Sequence, residues 1–116
     1  MSERTGLSDV ECFVLRESDG DAPLPEIADA WRAGADCPPT VEQAVPALAD
    51  ALAGLVAGGL VEVRRFATWP APWGGGVPVD DDRLRAEADA VETWLPGPAR
   101  TGLLVARFTG ERGARR

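Results

Sequence analysis

Apolar residues recur at helical spacing through the first half of the chain. Val10, Phe13 and Val14 stand at i, i+3 and i+4, which marks one buried helical stripe. Ser8-Asp9-Val10-Glu11 has capping-box form: the Ser hydroxyl accepts from the backbone three residues on, and the Glu carboxylate reaches back. A helix is therefore predicted to start at Ser8 and to end in the turn residues Ser18-Asp19-Gly20-Asp21. A second, short helix is predicted over Pro25–Arg32, with Pro in its first turn and Ile27 and Trp31 four apart on one face. Gly34 and Pro38-Pro39 break the chain after it. Thr40-Val41-Glu42-Gln43 is another capping box, and it opens the stripe Val41, Val45, Leu48, Leu52 and Leu55. Pro46 lies within that stripe. It lacks a backbone donor and disfavours helix at Val45, so a kink or break is expected, with the main helix running from Pro46 to Ala57. Gly58-Gly59 is a strong stop.

The period then changes. Leu60–Phe66 reads as a strand with Val61 and Val63 on one face. Trp69-Pro70-Ala71-Pro72-Trp73-Gly74-Gly75-Gly76 reads as a loop. Asp80 is a good N-cap for a further helix over Asp81–Trp94, with Leu84, Ala88, Val91 and Leu95 on its apolar side. Pro96-Gly97-Pro98 ends it. Leu103–Phe108 is a second, largely buried strand, and Gly110–Arg116 a frayed tail.

The joint Leu55-Val56-Ala57-Gly58-Gly59-Leu60-Val61-Glu62-Val63-Arg64 resembles that of bacterial winged-helix regulators, where a recognition helix stops at glycine and enters the first wing strand. Val105-Ala106-Arg107-Phe108-Thr109-Gly110-Glu111-Arg112-Gly113 resembles the returning wing strand. The resemblance implies an α+β, winged-helix-like domain spanning 1–116. Its core would be 8–66 and 103–109: three N-terminal helices and a small antiparallel sheet of two or three strands. The 36 residues 67–102 depart from the pattern, because a wing turn is usually far shorter. They are read as an insertion carrying an additional helix between the strands.

The resemblance also implies DNA binding, and charge argues against it. The net charge is −7. Residues 1–59 hold eleven Asp/Glu against Arg4, Arg16 and Arg32, whereas residues 80–116 balance seven acids with seven arginines. Affinity for a duplex comes chiefly from cations that neutralise phosphates. The expected recognition-helix positions carry Val41, Glu42, Gln43, Ala44, Ala47 and Asp50, of which only Gln43 is a conventional base reader. Candidate nucleic-acid contacts are Gln43, Arg64, Arg65 and Arg107. The arginines have a plainer reading as solvated charges that balance the acidic half.

Two of the four tryptophans fall within the five residues 69–73. Tryptophan is enriched where interfaces carry their energy, and proline lowers the entropy lost on ordering a loop. Trp69, Pro70, Pro72 and Trp73 are therefore candidate protein-contact residues. The competing reading folds both rings back onto the protein's own core. Trp31 and Trp94 are expected in the core. The alanine-rich helix could form a dimer seam, and the acids could imitate the charge of DNA toward a DNA-binding partner.

Catalytic equipment is sparse. There is no histidine, the commonest general base and metal ligand. The serines at 2, 8 and 18 form no nucleophile motif, and Cys12 and Cys37 have no histidine to activate them. Both cysteines are expected as buried free thiols. Asp80-Asp81-Asp82 fits a helix N-terminus better than a metal site, and Gly74-Gly75-Gly76 lacks the Lys-Ser/Thr of a phosphate loop. No cofactor or metal is expected. No stretch approaches the ~20 apolar residues of a membrane span, and the N-terminus lacks a leader-like apolar run, which predicts a cytoplasmic protein. The sequence thus points to a non-catalytic accessory or regulatory protein that contacts a protein partner or a second copy of itself as a homodimer. The alternative is a DNA-binding transcriptional regulator of winged-helix type.

Overall fold

The computed structural model describes residues 7–95 and 103–109. Its elements are helices α1 (Asp9–Ser18), α2 (Leu24–Ala33), α3 (Val41–Ala57) and α4 (Asp81–Ala88), and strands β1 (Ala22–Pro23), β2 (Val61–Phe66), β3 (Val77–Pro78) and β4 (Leu103–Phe108). Short 3₁₀ turns occupy Trp73–Gly75 and Val91–Trp94. The fold is α+β, with an antiparallel sheet in the order β1-β4-β2-β3. The expected tail 110–116 and the Pro96-Gly97-Pro98 stop lie outside the described residues.

Local chemistry sets most helix ends. In α1, Ser8 Oγ accepts from the Glu11 amide at 3.1 Å, and Glu11 Oε1 accepts from the Ser8 amide at 2.8 Å. Thr40 and Gln43 repeat the arrangement at α3. Asp80 caps α4 by accepting from the Arg83 amide at 2.8 Å. At the C-terminus of α3, Leu60 N–H donates to Leu55 C=O and Gly59 N–H to Val56 C=O. These are the paired bonds of a Schellman stop, and Gly59 takes the left-handed conformation they need, at φ 78°.

Four expectations are corrected. First, α3 does not break at Pro46 and does not start there; it runs as one helix from Val41 to Ala57 with Pro46 inside. Pro46 and Glu42 are both exposed, so the Glu42 carbonyl that loses its helical donor is open to water. The buried stripe Ala44, Val45, Leu48, Ala49, Ala51, Leu52 and Leu55 continues across Pro46 and packs both halves against the core. Second, the helix expected to reach Trp94 ends at Ala88. Trp94 turns back into the core, fully buried, and its indole N–H donates to the Ala88 carbonyl at 2.8 Å. A helix C-terminal carbonyl is thus satisfied by a side chain rather than by another helical turn. Third, the sheet has four strands, because the two-residue edges β1 and β3 join the expected pair. Fourth, Cys12 and Cys37 are exposed free thiols. Val10, Phe13, Val14 and Leu15 of α1 pack into or against the core and Ser18 is buried, and Cys37 sits in the α2–α3 connection.

The helices cover one face of the sheet. Val61 and Val63 of β2 and Leu104 and Ala106 of β4 share a core with Val14, Leu24, Ile27, Leu48, Leu52, Leu84 and Trp94. Trp31 is half-buried against this core, edge-on to Phe13 at 5.2 Å. No helix among the described residues is long and apolar enough to cross a membrane.

Candidate functional site

Strand alternation sends every second residue to the opposite face. Since Val61 and Val63 face the helices, Glu62, Arg64 and Phe66 face outward. On β4, Leu104 and Ala106 face the helices, so Leu103, Val105 and Arg107 face outward. The register sets Arg64 opposite Val105, Glu62 opposite Arg107 and Phe66 opposite Leu103. Phe66 and Val105 are buried although they lie outside the main core.

The tryptophan loop lies over this outer face. Trp69 meets the Phe66 ring edge-on at 4.9 Å, and Trp73 meets it tilted at 5.6 Å. The Trp73 ring also receives two guanidinium groups, Arg64 at 5.1 Å and Arg107 at 4.6 Å from its centroid. Arg64 Nη1 donates to the Trp73 carbonyl at 2.9 Å. Trp73 therefore sits among Arg64, Phe66 and Arg107 on the outer face. Gly76 closes the loop flat against Phe66: a Cβ there would sit 2.8 Å from both Cε carbons of the ring. Trp69 and Trp73 are half-buried, whereas Pro70 and Pro72 are exposed. The Trp69–Pro70 peptide bond is cis.

Each candidate arginine holds a carboxylate of its own chain. Arg64 Nε donates to Glu62 at 2.8 Å. Arg107 forks onto Asp21, at 2.9 and 3.3 Å. Arg65 points to the helical side and forks onto Glu87 of α4, with Nη1 at 3.2 Å from Oε1. Gln43 lies apart on the first turn of α3, where its side-chain oxygen completes the cap. The structure thus gathers Trp69, Trp73, Arg64 and Arg107 into one cluster and leaves Arg65 and Gln43 outside it.

The exposed side of α3 carries Glu42, Gln43, Pro46, Ala47, Asp50, Gly54 and Ala57. α4 packs beside it, and Arg85 bonds Asp50 at 2.6 Å. That hydrogen bond, with the charge of Asp89, raises the Arg85 pKa above its ordinary value. No group of three or more His, Cys, Asp or Glu side chains is placed to hold a metal ion among the described residues.

Phe66, Gly76, Asp21 and Glu62 also build the cluster, and sequence reasoning had not singled them out. Alternation from Val61 and Val63 would have placed Phe66 and Glu62 beside Arg64. The Asp21 pair joins residues 86 apart and left no local signal. No family model matches this chain, and no curated protein and no solved structure matches it.

Proposed function

We propose that this chain is a non-catalytic accessory or regulatory protein on a winged-helix-like frame, acting through protein contacts. The element order α1-β1-α2-α3-β2-β4, with β3 and α4 inserted between the last two strands, supports the frame, as does β1 returning to pair with β4 in the register Ala22–Ala106 and Pro23–Val105. The glycine stop between α3 and β2 supports it too.

One observation carries the preference for a protein partner. Arg64, Arg65 and Arg107, the arginines a phosphate backbone would need, are each engaged by a carboxylate of this chain. Gripping phosphate would require breaking those pairs, while Glu42 and the outer flank of α3 would oppose a polyanion. The proposed contact surface is the 69–73 loop, with Pro70 and Pro72 turned outward.

A fluorescence-anisotropy titration against mixed duplex DNA at low salt tests this reading. Negligible binding at tens of micromolar is expected. Binding that falls steeply with added salt, and that disappears in an Arg64→Ala/Arg65→Ala double variant, would establish the DNA-binding reading in its place. Trp69→Ala and Trp73→Ala are expected to reduce recovery of a partner in pull-down, compared at a temperature where both variants remain folded.

A further inference from the structure

We propose that residues 67–76 form a strap that opens as a unit from the outer face of the sheet while the helical core stays folded. The two faces of the sheet are sealed by different material. Val61, Val63, Leu104 and Ala106 share one core with the helices. Phe66 and Val105 are equally well buried, at 3% and 0% exposed, but stand outside that core. Trp69, Trp73 and Gly76 lie over Phe66, and Trp73 also meets Arg64, the residue opposite Val105 on the same face.

Lifting the strap therefore breaks the ring contacts on Phe66, the two guanidinium contacts on Trp73 and the Arg64 bond to the Trp73 carbonyl. Each of these partners, Phe66, Arg64 and Arg107, stands on the outer face. Small satellite clusters of this kind occupy the low-stability end of a protein's local opening energies. The strap is anchored at both ends by strand pairing, at Phe66 opposite Leu103 and at Val77 opposite Arg65, so its opening has defined limits.

The consequence deepens the protein-contact reading and rests on it. In the closed state both indole rings are turned onto Phe66, and of the four candidate contact residues Pro70 and Pro72 are the exposed pair. A partner that uses the tryptophans must take the open strap. Opening also uncovers a face carrying Phe66 and Val105 beside Arg64 and Arg107. That face fits an aromatic segment of a partner protein, with the two guanidinium groups flanking its ring as they now flank Trp73.

The strap can be tested without any partner. In a Cys12→Ser/Cys37→Ser background, a thiol is introduced by Val105→Cys or by Ala106→Cys. The native side chains are adjacent on β4, both fully buried, and on opposite faces. Native-state thiol labelling is then followed at increasing urea below the unfolding transition, with the thermal midpoint of each variant measured alongside. The thiol at position 105 is expected to react on the order of 100-fold faster than that at 106. Its rate should barely change with urea, while the rate at 106 should rise with the full unfolding slope. Equal rates with equal urea dependence would overturn the proposal, because both sites would then open only on global unfolding. If Ala106→Cys fails to fold, Ala49→Cys serves as the inner-core comparator. Failure here leaves the protein-contact reading to stand or fall by its own titration and pull-down.

Discussion

Gly76→Ala isolates the closest approach in the candidate site. Gly76 has φ −81° and ψ 157°, a conformation alanine adopts freely, so the backbone carries no penalty. Replacing glycine at a compatible position would by itself stabilise by about 0.4–1 kcal/mol through the unfolded chain. The steric effect runs the other way. The new Cβ would lie 2.8 Å from Phe66 Cε1 and Cε2, against about 3.5–4.0 Å for relaxed carbon contacts. The ring cannot easily yield, because Phe66 is buried and braced by Trp69 and Trp73 at 4.9 and 5.6 Å. Overpacking of this sort costs about 1–3 kcal/mol. The steric cost exceeds the entropic gain, leaving a net destabilisation of about 1–2 kcal/mol. The thermal midpoint should fall by roughly 4–10 °C. Urea unfolding followed by tryptophan emission gives the most direct measurement: the midpoint should drop at constant slope. A midpoint equal to or above that of the parent would refute the reasoning and place Gly76 away from the Phe66 ring.

Three further outcomes are expected. Trp94→Phe removes the indole donor to Ala88 and leaves a small void in a fully buried site, lowering stability in urea melts by about 2–3 kcal/mol; a loss under 0.5 kcal/mol would mean that bond and burial are absent. Gly59→Ala forces a side chain into φ 78° and should cost about 1–2 kcal/mol, whereas Gly58→Ala, at φ −82°, should be close to neutral; equal effects in thermal melts would contradict the glycine stop. Asp21→Asn keeps a residue that tolerates positive φ but removes the charge facing Arg107, so a loss of about 0.5–1 kcal/mol is expected at low ionic strength that shrinks in 1 M salt; a salt-independent loss would assign the effect to the backbone instead.

The candidate site was only partly legible in the sequence. The composition Trp69-Pro70-Ala71-Pro72-Trp73 marked the loop, and both outcomes for its rings, outward or folded back, were consistent with those residues. Arg64 and Arg65 are neighbours in the chain and similar in chemistry, yet alternation sends one to Trp73 and the other to Glu87. Charge counts correctly signalled an excess of acid. They could not indicate that the arginines of the sheet were already neutralised within the fold.

Interactions spanning a few residues were fixed by the chain alone. Ser8 with Glu11, Thr40 with Gln43, Asp80 with Arg83, and the Gly58-Gly59 stop all join positions within five of one another, so they form wherever a helix begins or ends. Tertiary structure decided the rest: the helix carried through Pro46 by its buried stripe, α4 cut short when Trp94 takes the Ala88 carbonyl, and Trp73 seated between Arg64 and Arg107. The physical reason is reach. A cap is satisfied by neighbours that cannot be far away, whereas a ring on a sheet face or a guanidinium on a distant carboxylate finds its partner only after strand register has brought the two together.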